Sequence, residues 1–184
     1  MVLLSVGKIC FTLFYPKNNS SLFQNHLCYS MKTQQKDYYH GAPLTQIVEH
    51  KSFTALNKVD KKYGHYKIND NIRLMVKIAT VNSPSSNKDR WKFTFSEDDF
   101  DVLENDMKSE DKFFICFVCG ETTICLLNHS DINQILDFSN KKPQSIHVEK
   151  RGSLWLTGPC KRKLDRAIPH KDFPDKLFID SISD

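Results

Sequence analysis

The chain has 184 residues, 40% hydrophobic and 26% charged, with 26 Lys and Arg against 22 Asp and Glu. These proportions suit one globular domain of about 100–200 residues and exclude a fibrous repeat, a cysteine-dense secreted scaffold and a wholly disordered chain. The formal net charge of +4 is mildly basic, short of a histone-like balance.

The first thirty residues differ from the rest. Met1 to Tyr15 is mostly apolar, Pro16 to Ser21 is a polar, turn-rich spacer, and Lys8 and Lys17 are the only charges. An apolar run of about 15 residues is short of the roughly 20 that cross a bilayer. Lys8 in its middle and bulky Phe14 and Tyr15 after it do not fit a secretory signal. Residues 1–30 are therefore expected to be a leader outside the domain, 31–178 one globular domain opened by Met31, and 179–184 a flexible tail. Six cysteines are too few for a disulfide framework, and free cysteine behaves as a small buried hydrophobe. A reduced, cytoplasmic setting without a membrane partner is expected.

From Gly41 the pattern turns helical, with Pro43 suited to a first helical position and Leu44, Ile47 and Val48 on one face. Ser52 to Gly64 is polar and reads as irregular, tacked down by Phe53 and Leu56. A short strand, His65 to Ile68, meets an Asn69-Asp70-Asn71 turn, because Asn and Asp tolerate the left-handed conformation. The next strand alternates Ile72, Leu74, Val76 and Ile78 with Arg73, Met75 and Lys77. After a Ser-, Asn- and Pro-rich loop, Trp91, Phe93 and Phe95 line one face of a third strand and read as core.

Ser96 is a good N-cap for a helix whose first turn holds Glu97, Asp98 and Asp99 and whose apolar stripe is Phe100, Leu103 and Met107. Phe113 to Cys119 is apolar on both faces, as a central strand should be. Gly120-Glu121 turns the chain into Thr122 to Leu127. Asn128 or Ser130 caps a further helix carrying Ile132, Ile135 and Leu136. Strands are expected at Ser145 to Glu149, Ser153 to Thr157 and, more weakly, Leu164 to Ile168, before a surface tail containing Pro169 and Pro174. This order predicts a mixed α+β single domain with a central mixed sheet flanked by helices.

Cys116 and Cys119, with Cys125 and Cys160 further on, have the residue types of a zinc site. Three residues apart in a strand, however, Cys116 and Cys119 point to opposite faces, so buried structural thiols are the better reading and zinc is not expected. The six glycines are scattered singly, so no phosphate loop is formed, and no nucleotide or haem is expected. Lys161, Arg162, Lys163 and Arg166 form a basic cluster of the kind that grips phosphates, and Arg73 is a further nucleic-acid-binding candidate. The acidic run from Glu97 reads as a solvated helix face.

The most specific signal is the element order around Lys77. A helix carrying Glu49 precedes a hairpin whose second strand holds Met75-Val76-Lys77, followed by an aromatic strand, an amphipathic helix and an apolar central strand. Over Gly41 to Leu136 the chain resembles the PD-(D/E)xK nuclease-like superfamily. That resemblance implies a restriction-endonuclease-like fold, a divalent cation (Mg2+ or Mn2+) and a lysine, here Lys77, that positions the attacking water. Met75 stands in the slot of the family's second carboxylate, and His65 and Tyr66 occupy the region of its first. The acids would then come from Glu49 and Asp70 as metal ligands, with Glu49 and His65 beside Lys77 as catalytic groups.

The function expected on this basis is interaction with DNA or RNA, with metal-dependent phosphodiester hydrolysis as the chemistry. The alternative is a non-catalytic protein-interaction module with a degenerate site, using the acidic helix from Glu97 or the strand edge near Trp155 to hold a protein partner.

Overall fold

The computed structural model describes residues 34–59, 63–80 and 89–179. The expectations for the leader and for the last residues of the tail fall outside that range.

Helix α1 spans Gln35–Val48 and starts earlier than the Gly41 expected from Pro43. Gln34, extended, caps the helix start, and the Asp37 carboxylate accepts the Gln34 backbone N–H at 2.8 Å, satisfying one of the donors a helix start leaves open. Pro43 therefore lies inside the helix, buried. It forgoes one backbone hydrogen bond there, and its ring packs on the domain's inner side. Strand β1, Leu56–Lys58, is a short edge strand in the segment expected to be irregular. One half-buried residue, Leu56, and two exposed ones carry too little hydrophobic pattern to announce it.

β1 pairs antiparallel with β2 (His65–Ile68), and β2 with β3 (Ile72–Ala79), around a turn in which Asn69 adopts φ 50°. The Asn69 side chain also accepts the Thr54 backbone N–H at 2.8 Å, tying the turn to the segment before β1. β3 then runs parallel to β5 (Lys112–Cys119), and β5 turns back through Gly120, φ 54°, into β6 (Thr123–Asn128). The order β1-β2-β3-β5-β6 makes a mixed five-stranded sheet.

The crossover from β3 to β5 contains β4 (Arg90–Phe95) and α2 (Glu97–Met107). β4 does not join the first sheet. It pairs with β7 (Gln144–Arg151), which pairs with β8 (Ser153–Thr157), in a separate antiparallel sheet of order β4-β7-β8. Helix α3, His129–Ile135, is capped by Asn128, whose side-chain oxygen accepts the Asp131 N–H at 2.9 Å. Leu164 to Ile168 contributes one isolated bridge to β8, Leu154 with Ile168, and Lys163 just before it contributes another with Thr157.

Two cores result. Between the sheets lie Trp91, Phe93 and Phe95 of β4, Phe113, Ile115 and Phe117 of β5, and the stripes of α2 and α3. On the far side of the large sheet, Ile47 of α1 packs with Leu74, Val76, Phe114 and Cys116. Phe173 and Leu177 complete that second core, with Leu177 in α4, Asp175–Phe178. The stretch around Pro169 and Pro174 is thus packed structure and not the surface tail expected. Two aromatic side chains five residues apart, Phe173 and Phe178, supply the apolar area that docks it. The domain is mixed α+β: α1 and α4, the five-stranded sheet and the three-stranded sheet form successive layers, with α2 and α3 alongside.

Phe117 is fully buried, its ring 4.3 Å from Phe93 and 6.1 Å from Phe95, centroid to centroid. Phe117→Ala should therefore cost about 3–5 kcal/mol in urea denaturation through lost burial and the cavity left behind, whereas Thr94→Ala, on the exposed face of β4, should stay within about 0.5 kcal/mol.

Candidate nucleic-acid interface

Lys77 follows Met75 on the face of β3 that looks toward α2, as a two-residue step along a strand requires. It is held in place from three sides. Its Nζ donates to Oδ2 of Asp99 at 2.6 Å and to the Thr94 carbonyl at 2.8 Å, and lies 4.5 Å from the centre of the Phe95 ring. Asp99 is the third residue of α2 and also accepts the Ser96 backbone N–H at 2.8 Å. The pair therefore fastens the start of α2 to the middle of the large sheet. Met75 is buried in the core between the sheets and supplies only a thioether, a poor ligand for a hard cation.

His65 lies directly opposite Met75 across the β2–β3 ladder. Its Nε2 is 2.7 Å from Oδ2 of Asp106, with both side chains almost fully buried. Asp106 in turn accepts from Nη1 of Arg73 at 2.9 Å, and Arg73 Nε donates to Asp111 at 2.7 Å. Lys67 reaches the same Asp111 oxygen at 3.2 Å. Arg73, a nucleic-acid-binding candidate from sequence, is thus occupied by two carboxylates inside the fold. The acidic run from Glu97 is correspondingly not a purely solvated face, because Asp99 and Asp106 turn inward onto Lys77 and Arg73 of β3 and His65 of β2.

The structure does not bring Glu49 and Asp70 to Lys77. Glu49 is exposed at the C-terminal end of α1, the helix that covers the opposite face of the sheet, and Asp70 is exposed in the β2–β3 turn. Among the described residues, no group of three or more His, Cys, Asp or Glu side chains is placed to hold a metal ion. Cys116 and Cys119 face different cores, as their spacing requires, and burial pushes the Cys116, Cys119 and Cys125 thiols well up.

The basic cluster divides. Arg162 donates to the Leu136 carbonyl at 2.8 Å and Arg166 to the Asp131 carboxylate at 2.9 Å, so both pin the C-terminal segment to α3. Lys161 and Lys163 remain exposed. A further cleft of about 510 Å³ between α1 and the β5–β6 turn contains Thr123 and His170. His170 bonds the Thr123 hydroxyl on one side and the Gly152 carbonyl on the other, a tie between three segments.

Lys163 belongs to a larger arrangement. β4 alternates strictly, with Trp91, Phe93 and Phe95 buried and Arg90, Lys92 and Thr94 exposed. The same alternation in β7 and β8 leaves the outer face of the small sheet open to solvent. Directly paired residues of antiparallel strands share a face, so the register sets two rows across it. One row is Arg90, Glu149 and Trp155. The next is Lys92, His147, Thr157 and Lys163. Arg151, one strand step beyond, bonds Glu149 at 2.7 Å and compensates that carboxylate. Trp155 is 46% exposed, whereas Trp91 is fully buried. Partial burial, reinforced by the charges of Arg90 and Lys92, holds the His147 pKa below its ordinary value.

Arg90, Lys92 and His147 were not singled out in the sequence, because 55 residues separate Lys92 from His147 and only strand pairing unites them. The signal for half of the face was present in Arg-Trp-Lys-Phe-Thr-Phe, whose alternate residues are as polar as the others are aromatic. Compared with protein-family models, curated proteins and solved structures, the chain matches none.

The buried charge network makes a pH prediction. Hydrogen bonding from Arg73, reinforced by Lys67, holds the Asp111 carboxyl below its ordinary value. A depressed folded-state pKa contributes stability that is present above the unfolded value, about 3.9, and is lost as pH falls through the folded value. Asp111→Asn should therefore be less stable than wild type at pH 7 and lose less on acidification to pH 3, read as urea midpoints at the two pH values.

Proposed function

We propose that this protein binds the phosphate backbone of nucleic acid, DNA or RNA, through the outer face of the β4-β7-β8 sheet, and that binding rather than hydrolysis is its activity. The observation that carries this reading is the row Lys92, His147, Thr157 and Lys163, set beside Arg90 on one solvent-facing surface. Phosphate contact needs several Lys and Arg side chains exposed together, so that their combined potential displaces the counterions of the polyanion. Among the described residues in those rows, Arg90, Lys92 and Lys163 stand beside the Arg151–Glu149 ion pair.

The element order and the parallel β3–β5 crossover around Lys77 support kinship with the PD-(D/E)xK nuclease-like fold. In this chain Lys77 is paired with Asp99, while Glu49 and Asp70 lie away from it, so the residues expected to run a Mg2+- or Mn2+-dependent hydrolysis do not converge. The acidic helix is also a weak docking surface for a protein partner, since Asp101 and Glu104 engage Lys141 and the inward acids serve the fold.

Anisotropy titrations of labelled oligonucleotides test the reading. Affinity should fall steeply with salt, and the double variant Lys92→Glu/Lys163→Glu should bind far more weakly and lower the salt slope by about 2. Unchanged affinity in that variant would overturn the assignment of the face. Lys77→Ala should instead lose about 3 kcal/mol of stability, because it strands the Asp99 carboxylate, and should leave the affinity of the folded protein unchanged. Metal-dependent cleavage that disappears in Lys77→Arg, a variant that keeps the charge, would restore the hydrolytic reading.

A further inference from the structure

The same face carries one group that backbone electrostatics does not use. Trp155 lies at the end of the Arg90–Glu149–Trp155 row, on β8, with nearly half its surface exposed. A large apolar ring left in solvent on an otherwise polar sheet face marks a contact site when charged neighbours rim it. Here the rim is charged on two sides. A cleft of about 270 Å³ opens beside the indole, lined by Thr157, Lys163, Leu156, Leu164 and the Arg151–Glu149 ion pair. Successive rows on one face of a strand are about 6.8 Å apart, and neighbouring strands about 4.8 Å. The cations of the Lys92–Lys163 row therefore lie within a nucleotide or two of the indole.

Resting on the reading of this face as a phosphate-binding surface, we infer that its ligand is single-stranded nucleic acid, with one base stacked on Trp155 while Lys163 and Lys92 of the adjacent row hold the flanking phosphates. The reason lies in which surfaces each ligand offers. In a duplex the faces of the bases are covered by their neighbours and only edges reach the grooves. A flat, solvent-facing indole has nothing to stack on there. In a single strand the bases splay out, and every base presents a π-face regardless of sequence. An aromatic residue inside a field of Lys and Arg is the combination that tracks such a strand.

The experiment compares a short oligothymidine strand with a duplex of equal length on the full chain at one salt concentration. Because Trp91 is buried, fluorescence quenching on binding reports Trp155. Oligothymidine should quench it and duplex should not. Trp155→Ala should weaken single-strand binding about 5- to 150-fold, the range that loss of one stacked base produces, and leave duplex binding within about twofold. Trp155→Phe should restore most of the single-strand affinity. Equal losses for both ligands in Trp155→Ala, or none for the single strand, would overturn the stacking inference while leaving backbone binding intact. Failure of the wild-type chain to bind either ligand at low salt would overturn the phosphate reading itself and turn the face over to a protein partner.

Discussion

Strand β5 is apolar on both faces, and that requirement organises the molecule. Phe113, Ile115 and Phe117 look one way, and Phe114, Cys116 and Val118 the other. A strand of this kind is stable only if something covers each side of it. α1 and α4 cover one side. The other is covered mainly by a second sheet, with α2 and α3 beside it, and this gives the domain three layers. It also explains why β4 leaves the main sheet: its Trp91, Phe93 and Phe95 are the apolar surface that the inner face of β5 needs.

Burial of β5 in turn dictates the fate of the charges. Bringing α2 onto the sheet places Asp99, Asp106 and Asp111 over Lys77, His65, Arg73 and Lys67. Buried ions are tolerated only when paired and hydrogen-bonded, and here carboxylates and cations are matched almost one to one. The basic residues of β2 and β3 are neutralised inside the fold as a result. Arg90 and Lys92 of β4 and Lys163 after β8 lie on the far side of the second sheet and have no such partner among the described carboxylates, whereas Arg151 pairs with Glu149 there, and Arg162 and Arg166 pair with Asp137 and Asp131 near α3. Positive potential is therefore displaced from the Lys77 region to the outer face of the small sheet.

Much of the fold was legible because its long elements have clean periods. The alternation from Ile72 to Ala79, the apolar run from Phe113 and the Ser96 cap with acids behind it each name their element by local physics alone. The short elements were not legible. β1 buries almost nothing, α4 has four residues, and the early start of α1 depends on a cap at Gln34 that Pro43 obscures. The candidate site was less visible still. Lys77, Arg73 and His65 stand out in the chain as isolated polar residues among apolar ones, and their partners lie 22 to 41 residues away on an acidic run that reads locally as a wet helix face. Lys161, Arg162, Lys163 and Arg166 look equivalent in sequence, but two of them are tied to α3 and only Lys163 joins the row on the sheet.

By itself the sequence determined which residues must be buried, which strands alternate and where α2 begins, since periodicity, capping and side-chain chemistry act within a few residues. Only the tertiary structure decided which charges meet. Ion pairing and strand register act between residues far apart in the chain, and the same lysine is an internal brace or an open contact depending on what packs against it. Lys77 became the brace because α2 lies over the large sheet. Lys92 and Lys163 became neighbours because β7 and β8 bring them into one row.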